Sequence, residues 1–191
     1  MRIKRPSIEG ENLFTHFRDV RGASLLHIAV QNKDLASLGF YASQPSLLNA
    51  TDFAGETALH WCADEDWLEG ATVLIEAGAD VNATNKLGWT PAIRALNSEA
   101  DELLSFVVKN PRFNPEVKDV RNLTIAHHAC ASGSEHRVEI VARALCKRGY
   151  FYWIQDEPSP FNPRFLRLFS GRSFRKYCFD KDKKMFNFGF T

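Results

Sequence analysis

Apolar residues along this chain come in short blocks, and the blocks recur. Leu26 and Leu59 open two of them, each followed three residues on by a small residue, Ala29 and Cys62. Heavier blocks follow at helical spacing: Leu35 and Leu38; Val73, Leu74 and Ile75; Leu103, Leu104, Phe106, Val107 and Val108; Ile140, Val141, Ala144 and Leu145. Apolar positions clustered on one helical face predict amphipathic helices. Glycine and asparagine separate the blocks, which predicts turns between paired helices. Ahead of Asp19, Leu13, Phe14 and Phe17 make one further short apolar face.

The blocks share a register. Asp19–Ala29 reads DVRGASLLHIA, Asp52–Cys62 reads DFAGETALHWC, Asn85–Ala95 reads NKLGWTPAIRA, and Asp119–Ala129 reads DVRNLTIAHHA. Their starts lie 33, 33 and 34 residues apart. Each copy has a turn residue three positions in (Gly22, Gly55, Gly88, Asn122) and a hydroxyl five positions in (Ser24, Thr57, Thr90, Thr124). A hydroxyl there caps the helix that follows. Small residues at Ala29, Cys62, Ala95 and Ala129 let successive helices approach closely. Gly78 and Gly149 suit left-handed helix ends. The second copy closes with Ala77-Gly78-Ala79-Asp80-Val81-Asn82-Ala83.

These segments resemble the ankyrin repeat, with its Asp-x-x-Gly-x-Thr-Pro-Leu-His-x-Ala opening, Gly-Ala-Asp-x-Asn-Ala close and period of about 33 residues. The resemblance implies an all-α ankyrin-repeat solenoid of antiparallel helix pairs with β-turn tips, plus a divergent aromatic-rich C-terminal segment. The expected organisation is an N-terminal extension or cap over residues 1–18 and repeats at 19–51, 52–84, 85–118 and 119–149. A C-terminal cap or docking tail over 150–191 completes it. Ile93 replaces the usual histidine in copy three, and Gln44-Pro45-Ser46 replaces the Gly-Ala-Asp turn in copy one. Three or four extra residues are expected around Ser132-Gly133-Ser134-Glu135 in copy four. No single repeat can bury its own apolar face, so the units must stack.

Composition narrows the function classes. A net charge of +1 gives no global field that would draw nucleic acid, membrane or acidic substrates. The apolar runs are too short to span a bilayer, and no apolar stretch follows the basic N-terminus, so neither a membrane segment nor a signal peptide is expected. Cys62, Cys130, Cys146 and Cys178 lack paired spacing, which points to free thiols and an intracellular, cytoplasmic or nuclear setting. Residues 150–191 differ from the rest. They hold 13 aromatics and a local balance of +4. A divergent cap is the favoured reading, a docking segment the sharper one. The run from Phe169 through Arg172, Phe174, Arg175, Lys176 and Tyr177 keeps open an alternative function, stacking on single-stranded nucleic acid.

Candidate chemistry is sparse. His27, His60 and His127 recur at one repeat position and so are spread along the stack, while His127-His128-x-Cys130 supplies too few ligands for zinc. The resemblance to the ankyrin repeat implies structural histidines that bond neighbouring turns. No phosphate loop or nucleophile motif occurs, and neither enzyme activity, metal nor cofactor is expected. The expected partner is another protein, bound by a monomer.

The resemblance also implies where that partner docks: on the concave face, at the turn tips and the exposed side of each first helix. Carried onto this sequence, those positions include Val20, Arg21, Phe53, Glu56, Trp61, Asp64, Glu65, Lys86, Leu87, Trp89, Arg94, Asn97, Val120 and Arg121. Phe53, Leu87 and Trp89 stand out, because the fold requires no apolar group at a tip. Trp89 packed on its neighbouring turn is an equally good reading. Asp64, Glu65 and Asp66 suggest an acidic rim and a partner carrying Lys or Arg. Finally, Leu74 lies eight residues before Asn82, with Asp80-Val81 between. The resemblance makes Asn82 a possible hydroxylation site, although the repeat consensus alone explains the residue and is the favoured reading.

Overall fold

A computed structural model describes residues 16–148. Much of the N-terminal cap, Gly149 and the aromatic tail lie outside the described residues. The nucleic-acid alternative, which rests on that tail, lies outside them too.

The helices come in pairs: α1 (Leu25–Gln31) and α2 (Leu35–Ala42); α4 (Ala58–Asp64) and α5 (Leu68–Glu76); α6 (Pro91–Asn97) and α7 (Asp101–Lys109); α8 (Ile125–Ala131) and α9 (Glu135–Lys147). A one-turn helix, α3 (Pro45–Leu48), follows the first pair. The four hydroxyl residues, Ser24, Thr57, Thr90 and Thr124, are the N-caps of the four first helices, all in extended backbone. Pro91 takes the first helical position of α6, where its missing N–H would have had no helical partner.

Three residues join the helices of each pair, and the middle one is left-handed: Lys33 (φ 52°), Asp66 (46°), Glu99 (64°) and Gly133 (69°). Beyond it the chain folds back. Asp34 N–H bonds Ala29 O at 3.0 Å, Trp67 N–H bonds Cys62 O at 2.9 Å, and Ala100 N–H bonds Ala95 O at 2.9 Å. This six-to-one bond satisfies a carbonyl that the helix end leaves open. Left-handed backbone opposes a β-carbon by about 1–2 kcal/mol, yet three copies place a side chain there, so the loop is invisible to a search for glycine. Gly78 (φ 101°) ends α5 in the same way, with Ala79 N–H on Leu74 O at 2.9 Å.

First helices pack on first helices, α1 on α4, α4 on α6 and α6 on α8, while α2, α5, α7 and α9 form a second layer behind them. Leu26, Leu59, Ile93 and Leu96 are buried in the first layer, and Leu38, Leu74, Leu103, Leu104 and Val107 in the second. Ala29, Cys62, Ala95 and Ala129 are buried too, as close helix approach requires. One continuous core results, in which each repeat covers its neighbour.

Two expectations change. In copy one, the Gln44-Pro45-Ser46 segment that replaces the Gly-Ala-Asp turn leads into a helix. Pro45 starts α3, which buries Leu47 and Leu48. In copy four, the link between α8 and α9 is residues 132–134, no longer than the others. The extra residues lengthen the second helix instead: α9 has 13 residues, whereas α5 and α7 have nine each.

Candidate functional site

The turn ahead of each first helix is built around its opening residue. Asp19 Oδ1 accepts the N–H groups of Arg21 and Ala23, both at 2.8 Å. Asp52 does the same for Ala54 and Glu56, Asn85 for Leu87 and Trp89, and Asp119 for Arg121 and Leu123. Burial alone would raise the Asp19 and Asp119 carboxyls, but these N–H donors outweigh it and hold both below the usual range.

Neighbouring turns are then bonded in series. Phe53 N–H donates to Arg21 O (2.9 Å), Lys86 N–H to Ala54 O (2.9 Å) and Val120 N–H to Leu87 O (3.1 Å). The result is a ribbon of turn tips running across the repeats. Along it stand Val20 (94% exposed), Phe53 (66%), Leu87 (48%) and Val120 (69%), with Lys86 also exposed. The Phe53 ring lies over Gly22, where an added β-carbon would come within 2.6 Å of it.

The histidines tie turns to helices. In copy one, Ser24 N–H donates to His27 Nδ1 (3.2 Å), which leaves Nε2 to donate to Glu56 O in the next turn (2.9 Å). In copy two, Thr57 N–H donates to His60 Nδ1 (3.1 Å), and Nε2 to Trp89 O (2.9 Å). Burial lowers both imidazole pKa values, that of His60 to about 4. Ile93 makes no such bridge from copy three. Among the described residues no cluster of three or more His, Cys, Asp or Glu is arranged to hold a metal ion. Cys62 and Cys130 are free, buried thiols; burial pushes Cys62 well up and Cys130 up to about 12, far from a reactive thiolate.

The next helix position braces the turn from below. Trp61 Nε1–H reaches Asp52 Oδ2 at 3.1 Å, and His128 Nε2–H reaches Asp119 Oδ2 at 3.0 Å. Copy three opens with Asn85, which has no carboxylate to brace, and Arg94 reaches back instead. It lies 3.6 Å from Glu56 and forms a two-pronged pair with Asp64, whose Oδ1 also accepts from Ser98. Asn85 Nδ2–H donates to Glu56 Oε1 at 3.1 Å.

These contacts sort the expected partner-binding residues. Arg21, Phe53, Glu65, Lys86, Leu87, Asn97 and Arg121 are exposed. Glu56 is not a free tip residue. It is 7% exposed, burial raises its pKa, and Arg94 and Asn85 hold it between copies two and three. Trp89 is half-buried against the core and packs edge-on to His128 of the next first helix, with ring centroids 5.9 Å apart. Trp61 and Arg94 are likewise partly occupied within the fold. The acidic rim shrinks, because Asp64 is neutralised by Arg94. Val20 and Val120 join the exposed apolar tips. The signal was present in their sharing one turn position with Phe53, but exposure is decided by the ribbon. Asn82 is bound at both ends of its amide, with Nδ2–H donating to Arg112 O and Oδ1 accepting from Asn114 N–H, both at 2.7 Å.

Residues 26–119 match the family described as ankyrin repeats (3 copies). This stretch of the chain is built of ankyrin repeats. Among curated proteins it is 38% identical over 65 residues to human neurogenic locus notch homolog protein 1, a stretch covering 34% of this chain and 2% of that protein. It is 40% identical over 73 residues to pig NF-kappa-B inhibitor alpha, covering 35% of this chain and 23% of the relative. The chain therefore spans only a minor part of the length of these relatives. An ankyrin stack is a protein-interaction module, and no helix among the described residues is long and apolar enough to cross a membrane.

Proposed function

We propose that this ankyrin chain is a non-enzymatic adaptor, scaffold or regulator that binds another protein along its ribbon of turn tips and the adjoining first helices. One observation carries this reading. Four large apolar side chains, Val20, Phe53, Leu87 and Val120, stand exposed on hydrogen-bonded turns that would fold equally well with small polar residues there. Contiguous exposed apolar surface marks interaction sites. A relative that is by name an inhibitor, NF-kappa-B inhibitor alpha, supports a binding role in general. The buried free thiols Cys62 and Cys130 support a reducing, intracellular setting.

The weight within the site moves outward. Trp89, Trp61, Arg94 and Glu56 support the surface from beneath, while Phe53, Leu87, Arg21, Lys86 and Arg121 are offered to a partner, flanked by Glu65 and Asn97. The test is affinity capture with the intact chain beside a Phe53→Ser/Leu87→Ser/Val120→Ser variant, both shown to melt alike. Partners lost with the variant support the ribbon; unchanged capture removes it as the binding surface.

A further inference from the structure

We infer that the segment recognised by this ribbon is acidic and apolar, with Asp or Glu interleaved among residues such as Leu, Ile or Phe. The inference rests on the proposed use of the turn tips and adds the partner's chemistry to it.

The charge at the tips is segregated by depth. Every turn that opens with an acid uses that acid internally. Asp19, Asp52 and Asp119 each accept two backbone N–H groups of their own turn, and Asp119 is completely buried. Glu56 is buried under Arg94, and Asp64 is paired with it. The outermost charged side chains of the turns are cations in three of the four copies: Lys86, Arg21 (51% exposed), whose Nε–H donates to Asp19 Oδ2 at 3.2 Å, and Arg121 (65% exposed), whose Nε lies 3.7 Å from Asp119 Oδ2; each arginine is paired on its inner side and keeps the rest of its guanidinium outward. The formal charges of these turns nearly cancel, but an approaching partner meets the guanidinium and ammonium groups before the enclosed carboxylates. At short range the nearer charge interacts more strongly.

The cations alternate with the apolar side chains. Copy by copy the two outermost positions read Val20-Arg21, Phe53-Ala54, Lys86-Leu87 and Val120-Arg121. Arg21 is also held in place. Its guanidinium lies over the Trp61 ring, 4.6 Å from the centroid, and donates to Gln31 Oε1 at 2.9 Å. A cation already ordered gives up less side-chain freedom when a carboxylate arrives. A Lys- or Arg-bearing segment, the partner suggested by Asp64–Asp66 in the sequence, would meet like charge at these turns. A polyphosphate backbone would satisfy the cations but leave the four apolar side chains in water, so a protein segment fits better.

A displayed library of random linear peptides, selected on the full chain, tests this. Enriched peptides should carry Asp and Glu over Lys and Arg, together with large apolar residues. Their affinity should fall about tenfold or more on Lys86→Glu/Arg121→Glu, and weaken as salt rises. The variant comparison separates the turn tips from the basic residues 150–191, which both proteins share, and matched melting curves show that both are folded. Enrichment of basic apolar peptides that are lost on Phe53→Ser would overturn the acidic partner while leaving the tip surface standing. Peptides indifferent to both Phe53→Ser and the charge reversal would overturn the tip surface and this inference with it. Failure to enrich any peptide, or an oligonucleotide that competes in a sequence-independent way with the selected peptides, would also overturn the inference.

Discussion

The imidazole of His60 donates from Nε2 to the carbonyl of Trp89, 2.9 Å away in the turn of the following repeat. The same ring accepts the Thr57 N–H at Nδ1, so only the neutral tautomer fits. His27 repeats the arrangement one copy earlier, with Glu56 O as acceptor. Two single side chains thus join helix, turn and neighbouring repeat.

A pH dependence follows. The folded pKa of His60 is lowered from 6.5 to about 4 by burial, and that of His27 is lowered for the same reason. Below 6.5 the unfolded chain takes up these protons first, so stability present at neutral pH is lost as pH falls toward about 4. Glu56, raised above 4.5 by burial, acts in the opposite sense and offsets part of this loss. Thermal melts followed by circular dichroism should show the midpoint falling from pH 7 to pH 5. A flat profile would contradict the neutral-histidine bridges.

Leu59 is buried in the first-helix layer between copies one and three. Leu59→Ala should destabilise the chain by about 2–5 kcal/mol, the range for deleting a buried aliphatic side chain. Urea denaturation measures it. An unchanged midpoint would mean that the repeats are out of register with the assignment given above.

Arg94→Met should cost about 1–3 kcal/mol, because it leaves the buried Glu56 without its cation. The loss is expected to shrink when Glu56→Gln is added, since a neutral amide needs no counter-charge. A double-mutant cycle by urea titration reads that coupling. Additive losses would show that the two residues do not interact.

Gly88 has φ 77°, and a β-carbon there would lie 2.6 Å from Asp119 Cα, main chain that cannot swing away. Gly88→Ala should therefore destabilise by about 1–3 kcal/mol. Asn122 occupies the same turn position in copy four at φ 65°. Asn122→Gly should be neutral or slightly stabilising, and paired melting curves of the two variants check the contrast.

Asn82→Ala should cost about 1 kcal/mol, because Arg112 O and Asn114 N–H lose their partner. Denaturation midpoints measure this structural role. Hydroxylation of Asn82 is a separate proposal. Mass spectrometry of the Asn82 peptide, from cells that contain an asparaginyl hydroxylase, should show an added oxygen atom if it holds. An unmodified peptide counts against it.

The sequence by itself determined the period, the paired helices, the capping hydroxyls and the small residues at Ala29, Cys62, Ala95 and Ala129. Each of these answers a demand made within one repeat, or by an identical neighbour, and so recurs in the text of the chain. The bridging role of His27 and His60 was legible through the resemblance to the ankyrin repeat. Tertiary structure decided the rest. Glu56 is written in a tip position but buried, because Asn85 and Arg94 come from another copy to meet it. Asp64 belongs to an acidic run but is neutralised from 30 residues away. Trp89 shares a turn with Leu87, yet it is packed while Leu87 is exposed, because His128 stands beside one and solvent beside the other. Side chains at equivalent repeat positions diverge once their neighbours differ. Which charges and apolar groups finally face a partner therefore depends on pairings between copies, and periodicity along a single chain does not record them.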